Sequence, residues 1–219
     1  VTVSTDSELL KFTVNFSKKD ATTHTYENIR QDCVKNWNDF WENGGAIRLN
    51  RSKDERAVEL ERRIVLSEYL MAVNSAGSTP PQETGLTCNS WYGKFHLEMH
   101  LLHAAHFALF SQAELLERSL HWYKHILGGA YERAKSQGYK GARWPKMTDP
   151  SGNDSPSSIG TLLCWQQPHP IFYASLLRKT HPRSTLLKEW IEVIEATAAF
   201  MVDYLQYDEG RDCYVLGPP

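Results

Sequence analysis

Residues 80–106, PPQETGLTCNSWYGKFHLEMHLLHAAH, decide how this chain is organised and where its polar chemistry lies. The stretch starts as a loop rich in Pro, Thr, Gly and Asn and becomes a helical pattern without a break. Asn89 and Ser90 are suitable N-cap residues for that helix. Polar and aromatic residues crowd its start, namely Trp91, Tyr92, Lys94, His96, Glu98 and His100. Packing alone would not require them, so the stretch predicts a functional loop held on a rigid helix.

Length and composition predict one large domain or two small ones in these 219 residues. Apolar residues make up 41% of the chain and include enough tryptophan for a sizeable core. The formal net charge of −2 argues against a nucleic-acid partner, because a phosphate backbone calls for a basic surface. No run of about 20 apolar residues is present, so we predict no membrane span. We also predict no cofactor. The chain begins at Val1 without a signal-like segment, so we expect either processing or a piece of a longer protein.

The cysteines and histidines do not form a recognisable metal motif. The four cysteines, Cys33, Cys88, Cys164 and Cys213, contain no C-x-x-C pair and could be separate thiols or two disulfides. His96, His100 and His103 have a spacing that could put imidazoles on one helical face. The order His-Leu-Glu-Met-His is not HExxH, and on a helix Glu98 would turn away from the His96/His100 face. We therefore predict histidines that pack against a neighbouring helix and no metal site.

The N-terminal residues 1–17 alternate in polarity, with Leu10, Phe12, Val14 and Phe16 on one side. That period of two predicts a half-buried strand. Because a lone strand needs partners, we expect it to be the last strand of a preceding β domain, with residues 18–23 as a linker. We therefore divide the chain into residues 1–19, the end of an N-terminal β domain and its linker, and residues 20–219, an all-α domain.

Apolar periodicity predicts six helices in the remainder, at residues 25–41, 53–74, 94–110, 112–137, 158–179 and 184–207. Short and long joints alternate between them, and short joints make antiparallel neighbours. Alternate joints lie at the same end of an up-down series. The three long segments at residues 75–93, 138–157 and 207–219 should therefore gather at one end, and long loops in a compact domain are usually functional.

These long segments carry residues that suit a sugar. The first segment and the start of the helix after it supply Glu83, Trp91, Tyr92, Lys94, His96 and Glu98. The second supplies Tyr139, Lys140, Arg143, Trp144, Lys146, Asp149 and Asp154, and the third supplies Asp208, Glu209, Arg211, Asp212 and Tyr214. Near the fifth helix lie Trp165, Gln166, Gln167 and His169. A sugar stacks its C–H face on Trp, and its hydroxyls need polar partners. Glycoside cleavage then needs two carboxyl groups across the scissile bond.

Two strings resemble six-hairpin glycosidases, the (α/α) toroid group of glycoside hydrolases and phosphorylases that includes maltose and trehalose phosphorylases. WYGKFHLEMH at residues 91–100 resembles the group's Tyr-Arg-Gly-His-Val-Phe-Trp-Asp-Thr-Glu string, with Gly93 on its Gly. Glu98 falls on its Asp, which binds the sugar in the cleavage subsite. ERAKSQGYKGARWPKMTDPSG at residues 132–152 resembles its Ala-x-x-x-Gly-Tyr-x-Gly-Ala-x-Tyr-Pro-Trp segment, with Trp144 and Pro145 on the aromatic–Pro pair.

A third string, YVLGPP at residues 214–219, is similar to the lead-in to the Gly-Pro-Asp-Glu motif that carries the general acid in the phosphorylases. Lys94, His96 and His100 replace the group's His, Phe and Glu, and Pro219 stands where the phosphorylases have Asp. The resemblance therefore implies a distant family and not a phosphorylase. It places the general acid just beyond Pro219.

The resemblance implies the N-terminal half of an (α/α)6 toroid, built from antiparallel helical hairpins and continuing beyond this chain. A strand from an N-terminal β-sandwich would precede it, and the half-barrel would pack against that domain and the rest of the barrel. We expect a glycoside hydrolase that cleaves an oligo- or polysaccharide, with inverting chemistry, exported to a periplasm or beyond. Glu98 is the predicted catalytic carboxylate, and the predicted substrate-binding residues are Trp91, Tyr92, Lys94, His96, Glu98, Arg143, Trp144, Gln167 and His169.

Two other functions fit the same residues. A polysaccharide lyase would use Tyr92 or His169 as a base against an acidic sugar, with Lys94, Arg143 and Lys146 holding its carboxylate. A non-catalytic helical module would bind carbohydrate or act as a scaffold. A lyase product absorbs in the ultraviolet and a hydrolase product is a reducing sugar, whereas a binding module produces neither.

Overall fold

A computed structural model describes residues 2–17, 24–86, 88–157, 160, 163–181 and 186–217. The described chain is mostly helical, which confirms the predicted fold class at that level. It divides into two compact units, residues 1–44 and 45–219.

The first unit contains one helix and no strand among its described residues. Residues 2–17 are irregular, and Phe12, Val14 and Phe16 are exposed, so the strand predicted from their alternation is wrong. The physical reason is that no partner strand pairs with them in the part of the chain that the structure describes. Helix α1 (Tyr26–Asn43) is capped by Thr25, whose side chain accepts a hydrogen bond from the Asn28 N–H. The predicted linker at residues 18–23 lies outside the described residues.

The second unit contains six described helices with tighter bounds than the sequence predicts. These are α2 (Ala57–Ser75), α3 (Leu97–Leu109), α4 (Ala113–His125), α5 (Leu127–Ser136), α6 (His169–Thr180) and α7 (Leu186–Asp203). The predicted fourth helix is broken at Ile126, just before two glycines that favour helix poorly. The predicted fifth helix begins late, at His169, because Pro168 and Pro170 allow a helix start but no helix interior across them.

Two antiparallel hairpins organise the second unit. Helices α3 and α4 are joined by three residues, and His100 near the start of α3 contacts Ser119 and Tyr123 near the end of α4. Helices α6 and α7 form the other hairpin, since Pro168 just before α6 and Phe200 in the last turn of α7 line the same cavity. The inner faces of α3, α4, α6 and α7 meet in one apolar core, which includes Leu97, Phe107, Leu116, Tyr123, Tyr173 and Val193.

Two short antiparallel β-pairs complete the unit. Strand β1 (Phe95–His96) pairs with β2 (Met147–Thr148), which ties the first long segment to the second. Strand β3 (Leu205–Asp208) pairs with β4 (Cys213–Leu216) where the sixth predicted helix was expected to continue to residue 207.

The three long segments gather on one side of the helices of the second unit, as the alternation of joints predicts. The β1–β2 pair joins the first segment to the second, and Leu216 from the third lines a cavity with Trp165. Closure of the helices into a toroid, and an N-terminal β-sandwich, remain predictions. No helix among the described residues combines the length and apolarity needed to cross a membrane.

Candidate functional site

The candidate site is built around the carboxylate of Glu98, whose side chain is 12% exposed. Its Oε1 lies 3.1 Å from Lys146 Nζ and 2.7 Å from His96 Nε2. Its Oε2 accepts a hydrogen bond of 3.1 Å from the indole N–H of Trp165. Nitrogen atoms from three different segments therefore converge on one carboxylate. We call the residues Glu98, Lys146, His96, Trp165, Glu83 and Trp91 the Glu98 cluster.

The backbone of β1 and β2 positions these groups. His96 in β1 pairs with Met147 in β2, and the Leu97 N–H donates to the Lys146 carbonyl over 2.9 Å. This pairing places the Lys146 side chain beside the first turn of α3, where Glu98 lies. A carboxylate in the first helical turn also interacts favourably with the positive end of the helix dipole.

His96 lies between two carboxylates and is almost completely buried. Its Nε2 faces Glu98, and its Nδ1 lies 3.6 Å from Glu83 Oε2. Glu83 in turn accepts a hydrogen bond of 3.2 Å from the Ser90 hydroxyl. Burial lowers the pKa of His96 below its usual value of 6.5, against the opposing pull of Glu98 and Glu83.

The two indoles of the cluster are half exposed to solvent. Trp91 is 52% exposed and Trp165 is 50% exposed. Lys146 Nζ lies 5.6 Å from the centre of the Trp91 ring, and the same ring contacts His96 edge-on. Aromatic surface that remains open beside a buried ion pair can accept a ligand with one apolar face and a polar edge.

The segment that carries Trp91 is strained. Trp91 and Tyr92 have φ of 52° and 61°, and Gly93 follows at 71°. Side chains with a Cβ rarely adopt this left-handed region, and such residues cluster at functional sites. Tyr92 is 87% exposed, and Lys94 Nζ lies 5.5 Å from its ring centre and donates to the Pro156 carbonyl over 3.5 Å. The structure thus places Tyr92 and Lys94 beside the cluster but outside the contacts to Glu98.

Trp144 and Gln167 do not face an open pocket, which corrects the expectation that they line it with Glu98. Trp144 is 1% exposed, and its indole N–H donates to Thr197 Oγ1 over 2.9 Å. The Gln167 side-chain amide accepts from the Trp144 N–H over 2.9 Å and donates to the Trp144 carbonyl over 2.6 Å. Both residues hold the 138–157 segment against the core instead of presenting a surface to a ligand.

Arg143 and His169 are also buried. The Arg143 guanidinium donates to Gln137 Oε1 over 2.6 Å and lies over the rings of Phe200 and Tyr204. His169 Nδ1 lies 3.3 Å from the Leu97 carbonyl oxygen, beneath the Glu98 cluster, and its ring is edge-on to Trp165. Their contacts are structural, so neither side chain is positioned to touch a ligand at Glu98.

Sequence reasoning missed three contacts of the cluster and one feature of its geometry. Glu83 and Trp165 were noted only as residues that suit a sugar, and Lys146 had a role only in the lyase alternative, so none of the three was a predicted substrate-binding residue of the hydrolase. The expectation that Glu98 turns away from His96 is wrong, because α3 begins at Leu97 and His96 is therefore not helical. The sequence did carry one signal for the ion pair. Lys146 lies two residues after Trp144, in a segment that was expected to meet residues 91–98, and its positive charge could have been matched with Glu98.

The described residues bring together no group of three His, Cys, Asp or Glu side chains that could hold a metal ion. All four cysteines belong to the described residues, and none of them forms a disulfide. A scan of the sequence against protein-family models found no match. A search of curated proteins also found no match.

Proposed function

We propose that this chain is the sugar-binding half of a glycoside hydrolase and that one sugar ring sits at the Glu98 cluster. The observation that carries the proposal is the carboxylate of Glu98, oriented by Lys146, His96 and Trp165, between the two half-exposed indoles of Trp91 and Trp165. A sugar presents C–H groups on its faces and hydroxyls at its edge, which matches open indole surface around a fixed acceptor.

The chemistry we propose is cleavage of a glycosidic bond by carboxyl groups. Glu98 would accept a hydrogen bond from a sugar hydroxyl that strengthens as positive charge develops on the ring. Glu83 is the second carboxyl of the cluster, on the other side of the His96 ring, and is the candidate proton-transfer group among the described residues. Inverting stereochemistry and export to a periplasm or beyond stay part of the proposal, supported by the resemblance alone.

A non-catalytic carbohydrate-binding module is the second candidate. It is favoured by the fact that both oxygens of Glu98 already contact donors of the protein, which suits a carboxylate that binds more than one that reacts. The lyase hypothesis is less well supported, because Lys146 is engaged by Glu98 and His169 is buried. A carboxylate of an acidic sugar would therefore have to displace Glu98 from its cation.

The test is to incubate the protein with a glycan panel and to measure reducing ends, ultraviolet absorbance and heat of binding by calorimetry. In the complete parent protein we expect binding to at least one glycan, new reducing ends on it, and loss of both in Trp91→Ala and Trp165→Ala. Residues 1–219 alone should bind the glycan without cleaving it, because the general acid is expected beyond Pro219. Tyr131→Ala is the matched control, since Tyr131 is an exposed aromatic on α5 and should leave binding unchanged.

Binding by the complete parent protein without new reducing ends would select the non-catalytic module. Ultraviolet-absorbing products would select the lyase. Unchanged binding in both tryptophan variants would refute the site.

A further inference from the structure

The β3–β4 hairpin carries an apolar face that its own unit leaves open. Leu205 pairs with Leu216, and Tyr207 pairs with Tyr214. Directly opposed residues, and residues two apart on one strand, point to the same side of a ribbon. All four side chains therefore share one face, and each is 40% exposed or more.

This face continues into the Glu98 cluster through Trp165. Leu216 and Trp165 line the same small cavity, of about 110 Å³, between the hairpin and the start of α6. Trp165 in turn donates its indole N–H to Glu98. Tyr214 is two residues from Leu216, which is roughly 7 Å along a strand. Exposed aromatic rings thus lie at the Glu98 cluster, on Trp91 and Trp165, and on the hairpin face, on Tyr207 and Tyr214, with the cavity of Leu216 and Trp165 between the two groups.

The two tyrosine rings pack against each other at an angle of 59°. Their rings lie 5.2 Å apart, and the Tyr207 hydroxyl donates to Asp212 in the turn of the hairpin. Asp208 and Arg211 pair at 3.3 Å in the same turn, so charged groups edge the aromatic surface. Flat rings with hydrogen-bonding groups at the rim can hold successive rings of a glycan.

We propose that the Tyr207–Tyr214 face is a second carbohydrate subsite and that the ligand is a glycan chain several sugars long. This inference rests on the proposed function and deepens it. One end of the chain occupies the Glu98 cluster, the next sugars pass Trp165, and a further sugar stacks on Tyr214. The continuity of the hairpin face with Trp165 favours a glycan over a protein partner as its occupant.

The experiment is calorimetric titration with malto-, cello- and xylo-oligosaccharides of one to six sugars. In the series that binds, we expect affinity to keep rising beyond two sugars. Tyr214→Ala should lower affinity for the hexasaccharide by about three- to tenfold, as expected for one aromatic contact, and leave the disaccharide unchanged. Tyr214→Phe keeps the ring and should bind as the wild type does.

Gln206→Ala is the matched control, because Gln206 is exposed on the opposite face of the same hairpin. Circular dichroism and thermal melting of each variant verify that the hairpin variants fold. An affinity that does not depend on length, or a Tyr214→Ala variant that binds the hexasaccharide normally, would overturn the inference while the proposed function stands.

Two outcomes separate the remaining cases. If no glycan of any length binds, the proposed function fails and this inference fails with it. If the wild type self-associates and Tyr214→Ala is monomeric at the same concentration, the face is a protein interface and the inference is overturned.

Discussion

Glu98 shows how three polar contacts can fix the position of one side chain. Its carboxylate contacts an ammonium, an imidazole and an indole, each from a different segment of the chain. Hydrogen bonds to a charged group are worth about 1.5–3 kcal/mol each when they are well shielded from water. A side chain held in this way loses little conformational freedom when a ligand binds, which is the physical basis of a pre-organised site.

Replacing Glu98 by glutamine keeps the shape of the side chain and removes its charge. In the complete parent enzyme we expect Glu98→Gln to lower kcat/KM on the cleaved glycan by the equivalent of about 2–4 kcal/mol, because a charged acceptor that tightens in the transition state is lost. Steady-state kinetics of the two proteins measure it. Glu114→Gln, an exposed glutamate in the first turn of α4, is the control and should match the wild type. Near-wild-type kcat/KM in Glu98→Gln would refute the assigned role.

Lys146 and Glu98 form an ion pair whose side chains are both largely buried. Removing one partner of such a pair leaves the other charge buried and is strongly destabilising, typically by about 3–5 kcal/mol. We expect Lys146→Met to destabilise the protein, and the double variant Lys146→Met/Glu98→Gln to be more stable than the sum of the two single effects. Urea unfolding of the four proteins gives the coupling free energy, and additive effects would show that the pair does not interact.

Among the elements, the sequence predicts the helices better than their ends. Apolar spacing is a property of a whole helix, whereas an end depends on one or two residues. The first residue of α3 is Leu97 and not Lys94, because His96 enters the β1–β2 pair instead of the helix. That three-residue difference turns His96 towards Glu98, so the central contact of the site could not be predicted from helical periodicity.

The 138–143 turn shows how closely an element can approach a helix backbone. Gly141 has a φ of 72°, and a Cβ there would lie 2.3 Å from the Ala196 carbonyl oxygen and from the Phe200 nitrogen. Gly138 has a φ of 85° and open space around the same position. The two glycines therefore share a conformation and differ in the room around them.

We expect Gly138→Ala to cost about 1–2 kcal/mol, from the left-handed backbone alone. Gly141→Ala should cost clearly more, because α7 would have to move away from the turn. Chemical denaturation of both variants gives the comparison. Equal losses in the two variants would mean that contact with α7 adds nothing at Gly141.

At the scale of the whole molecule, the alternation of short and long joints predicted which segments meet, and the contacts among β1, β2 and Trp165 agree with it. Burial was harder to predict. Trp144 and Gln167 look like ligand-binding residues in the sequence. In the structure the ring of Trp144 and the amide of Gln167 instead form hydrogen bonds inside the protein that hold the 138–157 segment in place. The predicted strand at residues 1–17 is not formed for a different reason. Alternating polarity leads to a strand only where another strand can pair with it, and the described residues provide none.

Buried histidines make the whole unit sensitive to acid. Burial lowers the pKa of His100 from 6.5 to about 3, and it also lowers the pKa of His103, His106 and His169. Below pH 6.5 these histidines bind protons in the unfolded chain but stay unprotonated while they are buried in the folded protein. The free energy of unfolding must therefore decrease as the pH falls from 6.5 towards 3. His100 contributes up to about 1.4 kcal/mol per pH unit in that window.

We therefore expect the free energy of unfolding to decrease steadily between pH 7 and pH 5, as measured by denaturant titrations at several pH values. His100→Gln should be less stable than the wild type at pH 7, because the contacts to Ser119 and Tyr123 change, but its stability should fall less steeply below pH 6.5. A wild-type stability that is flat from pH 7 to pH 5 would contradict the burial of neutral histidines.

The exposure of Trp91 and Trp165 has a practical consequence. Trp122, Trp144 and Trp190 are buried, whereas these two indoles are half open to water beside Glu98. Iodide ions quench the emission of indoles that they can collide with, so quenching of the protein's fluorescence should include both residues of the cluster and spare the buried ones. A glycan that covers the two rings would shield them from iodide. The decrease in iodide quenching when a glycan is added is thus an optical reporter of whether the Glu98 cluster is occupied, above a constant contribution from the partly exposed Trp37 and Trp41 of α1.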